Sequence, residues 1–165
     1  MVADGMLTRK RYREVPPRVD YELTDRAREL LPVLGELARW GYRWAWGSPR
    51  SKELVDIGAI FRLAPGLIER SGGTGTVELR VDDRDGASTT YALTIERHEV
   101  TVEERAVDAP DARVSGGRSG WVQAFSPERD RSGLAISGDR ALAEGLLDQL
   151  SGRAADSSRA ASRAA

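Results

Sequence analysis

The chain has no cysteine, a single histidine and no apolar run near the roughly 20 residues needed to span a bilayer. The missing thiols exclude disulfides, thiolate zinc sites and thiol catalysis. One imidazole removes most histidine-based metal sites. The first dozen residues carry positive charge with no apolar segment behind it, so no secretory signal is expected there. These absences lead to the expectation of a soluble, cytoplasmic protein that needs no cofactor and no metal and does not engage a membrane.

Charge is plentiful but nearly balanced, with 25 Lys+Arg against 26 Asp+Glu in 165 residues. Its distribution says more. Residues 1–50 hold ten basic and seven acidic side chains, residues 51–150 twelve and eighteen, and the last fifteen three and one. A slightly basic front and an acidic body suggest two modules with different tasks.

In the front module, Met6 to Tyr12 and Arg18 to Leu23 read as two extended segments around Val15-Pro16-Pro17, where paired prolines forbid helix and stiffen the bend. Arg9, Lys10, Arg11, Arg13 and Arg18 crowd this short ribbon. They are either a solvated basic turn or a contact for DNA phosphates, which guanidinium groups on a projecting hairpin match. Thr24 and Asp25 then supply a helix N-cap and first-turn negative charge. Leu30, Leu34, Leu37, Gly41 and Trp44 recur at helical spacing, and Pro32 predicts a kink or a break into two helical pieces. Trp40 and Trp44 lie one turn apart. Aromatics on this helix either pack on the second module or form a dimer interface, where aromatics are enriched. Leu34, Leu37, Trp40 and Trp44 are the candidate dimerisation residues.

In the second module, Ser48-Pro49 predicts a helix start, with Lys52 to Leu63 helical and apolar on most faces. From Ser71 the period switches to two. Val77–Val81, Tyr91–Ile95, Val100–Val102, Ala112–Val114 and Leu134–Ile136 read as strands, with a tight Glu96-Arg97-His98-Glu99 hairpin between the second and third. Gly117 to Phe125 reads as a helix that buries Trp121, Val122 and Phe125. Asp139 caps a last helix through Leu150, and the Ala/Ser/Arg-rich stretch from Ser151 reads as a disordered tail. The expected fold class is therefore α+β, with modules at 1–47 and 48–150 and a tail at 151–165. Phe61, Trp121 and Phe125 fall between sheet and helices, either as filled core or as the lining of an apolar ligand cavity.

No enzyme is expected. His98 sits in a hairpin turn, where the left-handed backbone region explains it without chemistry. Ser115, Ser119 and Ser126 lack a nucleophile-elbow context. Gly72-Gly73-Thr74-Gly75 precedes a strand and opens no helix, so it lacks the dipole of a phosphate loop.

Two resemblances sharpen this reading. Leu7-Thr8-Arg9-Lys10-Arg11-Tyr12, then Pro16-Pro17-Arg18-Val19-Asp20-Tyr21-Glu22-Leu23-Thr24, then Leu31-Pro32-Val33-Leu34 and Trp40-Gly41 resemble the HxlR-type, MarR-related winged-helix regulators. The resemblance covers roughly residues 3–46. It implies a wing hairpin with its tip at the prolines, a Thr-capped helix leading into a dimerising helix, and DNA as partner of a homodimer. In that family a helix-turn-helix precedes the wing and reads the major groove. Here only Met1 to Gly5 precede it and resemble the tail of a helix leading in, so the expectation is an N-terminally truncated regulator without its recognition helix. Residues 55–150 resemble the sterol carrier protein type of lipid-binding domain, through the Tyr91–Val102 hairpin, Pro110-Asp111-Ala112-Arg113-Val114, Trp121–Phe125 and Leu134-Ala135-Ile136-Ser137-Gly138-Asp139. That implies a twisted antiparallel sheet covered by helices around an apolar cavity. The functional expectation is a ligand-responsive regulator. The alternatives are an apolar small-molecule or lipid binder that does not read DNA, and a dimeric interaction protein with a collapsed cavity.

Overall fold

The computed structural model describes residues 1–12, 18–45, 47, 55–68, 73–83, 85–97 and 99–152. Strands β1 (Leu7–Tyr12) and β2 (Arg18–Leu23) form a two-stranded antiparallel ribbon with Leu7 opposite Leu23 and Tyr12 opposite Arg18. Ahead of it, the Met6 amide donates to the Met1 carbonyl and the Gly5 amide to the Val2 carbonyl, with Gly5 at φ +68°. This is the Schellman pattern, the geometry in which helices end on a left-handed glycine.

Thr24 joins the ribbon to the helices. Its Oγ1 accepts from the Ala27 amide at 3.3 Å, capping α1 (Asp25–Arg28), and donates to the Gly5 carbonyl at 2.7 Å. Helix α2 (Leu31–Trp44) begins afresh with Pro32 in its first turn. The expected break at Pro32 is found there, because proline suits a first turn and not a helix interior.

Helix α3 (Ile57–Arg62) is capped by Asp56, whose carboxylate accepts from the Ala59 amide at 3.1 Å. Val55 and Asp56 are not helical, so the helix expected from Lys52 is corrected to begin at Ile57, and residues 48–54 lie outside the described residues. The start of α3 is set locally: a carboxylate one residue before the apolar run satisfies an orphan first-turn amide. Helix α4 (Ala64–Leu67) follows directly.

Five strands come next: β3 (Gly75–Asp82), β4 (Ser88–Ile95), β5 (Val100–Glu103), β6 (Ala112–Gly117) and β7 (Leu134–Gly138). Their spatial order is β5-β4-β3-β6-β7. All neighbours are antiparallel except β3 and β6, which run parallel with Val77 opposite Ala112, so the sheet is mixed. The 104–111 connection carries the chain from one edge across the sheet, and a crossover of that kind permits parallel pairing. Asp111 anchors its arrival. It exchanges backbone bonds with Thr76 and Asp139, and its carboxylate accepts from the Thr76 amide at 2.7 Å. Helices α5 (Arg118–Phe125) and α6 (Arg140–Leu150, capped by Asp139) complete the module.

Alternation along β3 and β4 buries Val77, Leu79, Val81, Tyr91, Leu93 and Ile95 on one sheet face, against α3, α5 and α6. Ser151 is buried and its amide donates to the Leu147 carbonyl, so the ordered chain runs past the expected boundary at 150. His98 and residues 153–165, the bulk of the expected tail, lie outside the described residues. Among the described residues no helix is long and apolar enough to cross a membrane, and no cluster of three or more His, Cys, Asp or Glu could hold a metal.

Candidate nucleic-acid interface and neighbouring surfaces

Pairing across the ribbon sorts its basic residues onto two faces. Arg9 lies opposite Tyr21 and Arg11 opposite Val19, and all four are exposed on one face. Arg9 and Arg11 have no carboxylate partner among the described residues. Lys10 lies on the other face, opposite Asp20, with its Nζ 2.7 Å from Glu22. The ribbon therefore does have local carboxylates, and they sit on the Lys10 side. Arg18 stands at a register position on that same face, and Arg13 lies outside the described residues. Of the expected contacts whose side chains are described, Arg9 and Arg11 are brought together as exposed guanidinium groups.

Helix α2 has two apolar sides. One side packs on the second module through Leu31, Gly35 and Ala38. A Cβ on Gly35 would overlap the Gly66 carbonyl, and one on Gly66 would overlap the Leu31 carbonyl. The Arg39 guanidinium donates to the Leu67 carbonyl at 2.7 Å, capping α4. Burial on this side also pushes the Tyr42 phenol up to about 12. The other side is open: Leu34 is 43% exposed, Leu37 60%, Trp40 57% and Trp44 71%, with Leu30 and Val33 beside them. The tryptophans thus do not pack on the second module, which was one of the two readings of their spacing. Trp46 lies outside the described residues.

Phe61, Trp121 and Phe125 are brought together and buried. The Phe61 ring meets Trp121 edge-on at 4.9 Å, Tyr91 at 5.2 Å and Phe125 at 6.3 Å, while Trp121 stacks on Phe125 at 5.8 Å. The Trp121 indole donates to the Arg80 carbonyl at 3.0 Å. The space between sheet and helices at this point is occupied by these rings themselves.

The sequence reading missed the seam between the modules. A groove of about 680 Å³ opens there, with walls from the end of β2, the α1–α2 junction, α3, α4 and the edge strand β5. Its arginines, Arg28 and Arg62, lie far apart in sequence, and no spacing rule joins them. Arg62 is held by Glu104 at 2.7 Å and lies 5.3 Å from the Tyr91 ring centre. Burial raises the Tyr91 phenol, with the Arg62 charge pulling the other way.

The model of the HxlR-like helix-turn-helix family matches residues 1–48. An uncharacterized HTH-type transcriptional regulator of Halalkalibacterium halodurans is 56% identical over 41 residues, covering 25% of this chain and 36% of that protein. The uncharacterized HTH-type transcriptional regulator YkvN of Bacillus subtilis is 44% identical over 43 residues, covering 26% and 36%. Among solved structures, the chain is similar to palmitated SCP2L2 from Aedes aegypti (18% identity, 57% of this chain, 90% of that one, TM-score 0.45). It is also similar to sterol carrier protein domain 2 of Helicoverpa armigera (17% identity, 54% and 75%, TM-score 0.41). The chain spans about a third of the length of these two HTH-type relatives, and the similarity to the HxlR-like helix-turn-helix family is confined to residues 1–48.

Proposed function

We propose that the chain acts in DNA-binding transcription regulation of the HxlR type, with the β1–β2 ribbon as a wing that contacts phosphates. The observation that supports this most directly is the pair Arg9 and Arg11, exposed on one ribbon face without a carboxylate partner among the described residues. Guanidinium groups so placed neutralise phosphates and release counterions without reading bases. Contacts of this kind are made to the backbone of the duplex. Lys10, paired with Glu22, contributes little to that contact.

The test is salt-dependent binding to duplex DNA by this chain and by a version extended at its N-terminus. Arg9→Glu with Arg11→Glu weakens binding evenly across sequences and lowers the slope of log K against log salt by about 2. Lys10→Ala leaves the slope near that of the parent. An unchanged slope in the double variant would sink the wing assignment.

The open side of α2 supports homodimerisation through Leu34, Leu37, Trp40 and Trp44. A tryptophan-bearing apolar face of this kind matches the composition of interface cores. The alternative site for an apolar ligand, at Phe61, Trp121 and Phe125, has less support. Those rings already fill one another's surroundings, and a ligand there would have to displace them.

A further inference from the structure

We propose that the open side of α2 is a heptad seam that pairs antiparallel with α2 of a second copy, in one register set by Gly41. Leu30, Val33, Leu37, Trp40 and Trp44 follow one another at alternating steps of three and four residues, the a and d positions of a heptad. All five are exposed, from 44% at Leu30 to 71% at Trp44. Leu31, Gly35, Ala38 and Tyr42, on the packed side of the helix, occupy the heptad positions that point away from the seam. The helix is thus already folded and held from behind, so pairing does not have to nucleate it.

The two flanks of the seam differ, and the difference selects the orientation. One flank carries Glu29, Glu36 and Arg43, and the other Leu34 and Gly41. Parallel pairing sets one flank against the other, which leaves Glu29 and Glu36 facing Leu34 and Gly41. Antiparallel pairing sets each flank against its own copy. With Leu37 opposite Trp40 of the second copy, Trp44 falls opposite Val33, Glu36 reaches Arg43, and Leu34 reaches Gly41. A Cβ on Gly41 would meet nothing within 4 Å, so the helix has a notch there that a leucine side chain can enter. Glu36 also contacts Arg39 on its own helix, but its side chain is 73% exposed and a carboxylate has acceptor sites for both guanidinium groups.

The seam therefore complements itself about a two-fold axis and closes at two copies. Each α2 starts directly behind its own ribbon and α1, so the pair carries its two ribbons at opposite ends. The pairing rests on the homodimer reading above and deepens it, adding the orientation and the register.

The chain has no cysteine, so introduced thiols report the orientation directly. Under mild oxidation, full-length Val33→Cys mixed with full-length Trp44→Cys gives a covalent dimer of one of each, and neither variant links to itself. In this register two copies of either position lie about 16 Å apart along the helix axis, well beyond disulfide reach. Trp44→Cys linking to itself overturns the antiparallel arrangement, and so does a mixture that stays unlinked while sedimentation shows a dimer. Gly41→Leu supplies a second measurement in which folding is not at risk. Its helix gains propensity, yet dimerisation weakens about tenfold because the notch is filled. Dimerisation that is unchanged or strengthened in that variant overturns the register. A wild-type chain that stays monomeric at tens of micromolar removes the homodimer reading and this pairing with it, whereas a wrong pattern of links removes the pairing alone.

Discussion

Phe61 shows how a single residue can be legible in kind and ambiguous in role. Its place in an apolar stretch marked it as interior, but the same residue type lines filled cores and ligand cavities alike. Tertiary contacts separate the two. Phe61 is fully buried and meets three aromatic rings edge-on, an arrangement that adds about 0.5–1.5 kcal/mol per pair beyond area burial. Phe61→Ala is therefore expected to cost about 3–5 kcal/mol of stability in urea unfolding, as for other large-to-small core changes. A loss below about 1 kcal/mol would mean that the neighbourhood is already hollow, and would revive the cavity reading there. The ribbon arginines follow the same logic. Alternation along the strand put Arg9 and Arg11 on one face, but only the register of the partner strand put Glu22 beside Lys10.

At the scale of elements, helix ends were the best-marked features. Thr24 and Asp139 were read as caps, and their oxygens accept the expected first-turn amides at 3.3 and 3.0 Å. Asp56, one residue before an apolar run, caps α3 in the same way, its carboxylate accepting from the Ala59 amide at 3.1 Å, while Ser48-Pro49 lies outside the described residues. The crossing of α2 over α4 had no sequence signal, since Gly35 and Gly66 are ordinary isolated glycines until the two helices meet. Gly35→Ala forces the Gly66 carbonyl away and is expected to destabilise by about 1–3 kcal/mol. Gly145→Ala, within α6 and with nothing near its Cβ, is expected to stabilise by about 0.5–1 kcal/mol through helix propensity alone. A urea midpoint left unchanged or raised by Gly35→Ala would contradict the close crossing.

For the whole molecule, the open side of α2 is the feature most in need of a partner. Leu37 and Trp40 are each more than half exposed on a helix whose opposite side is already packed. Sedimentation at tens of micromolar is expected to give twice the 18.0 kDa chain mass. Leu37→Glu with Trp40→Glu is expected to return the chain to a monomer while leaving its far-ultraviolet dichroism unchanged. A wild-type chain that sediments as a monomer at that concentration removes the dimer assignment.

The amino-acid sequence by itself determined what depends on short-range rules. Strand alternation, proline breaks and cap residues follow from the backbone geometry of a few neighbouring residues, so the order of elements and the α+β class were readable from it. The family likeness of residues 1–48 lies in the same local record, as ordered motifs along the chain. Only the tertiary structure decided the rest. Parallel pairing of β3 with β6, the glycine crossing that joins the modules and the filling of the aromatic centre all involve residues distant in sequence. Their meeting is set by how whole faces pack against one another, which no local pattern encodes.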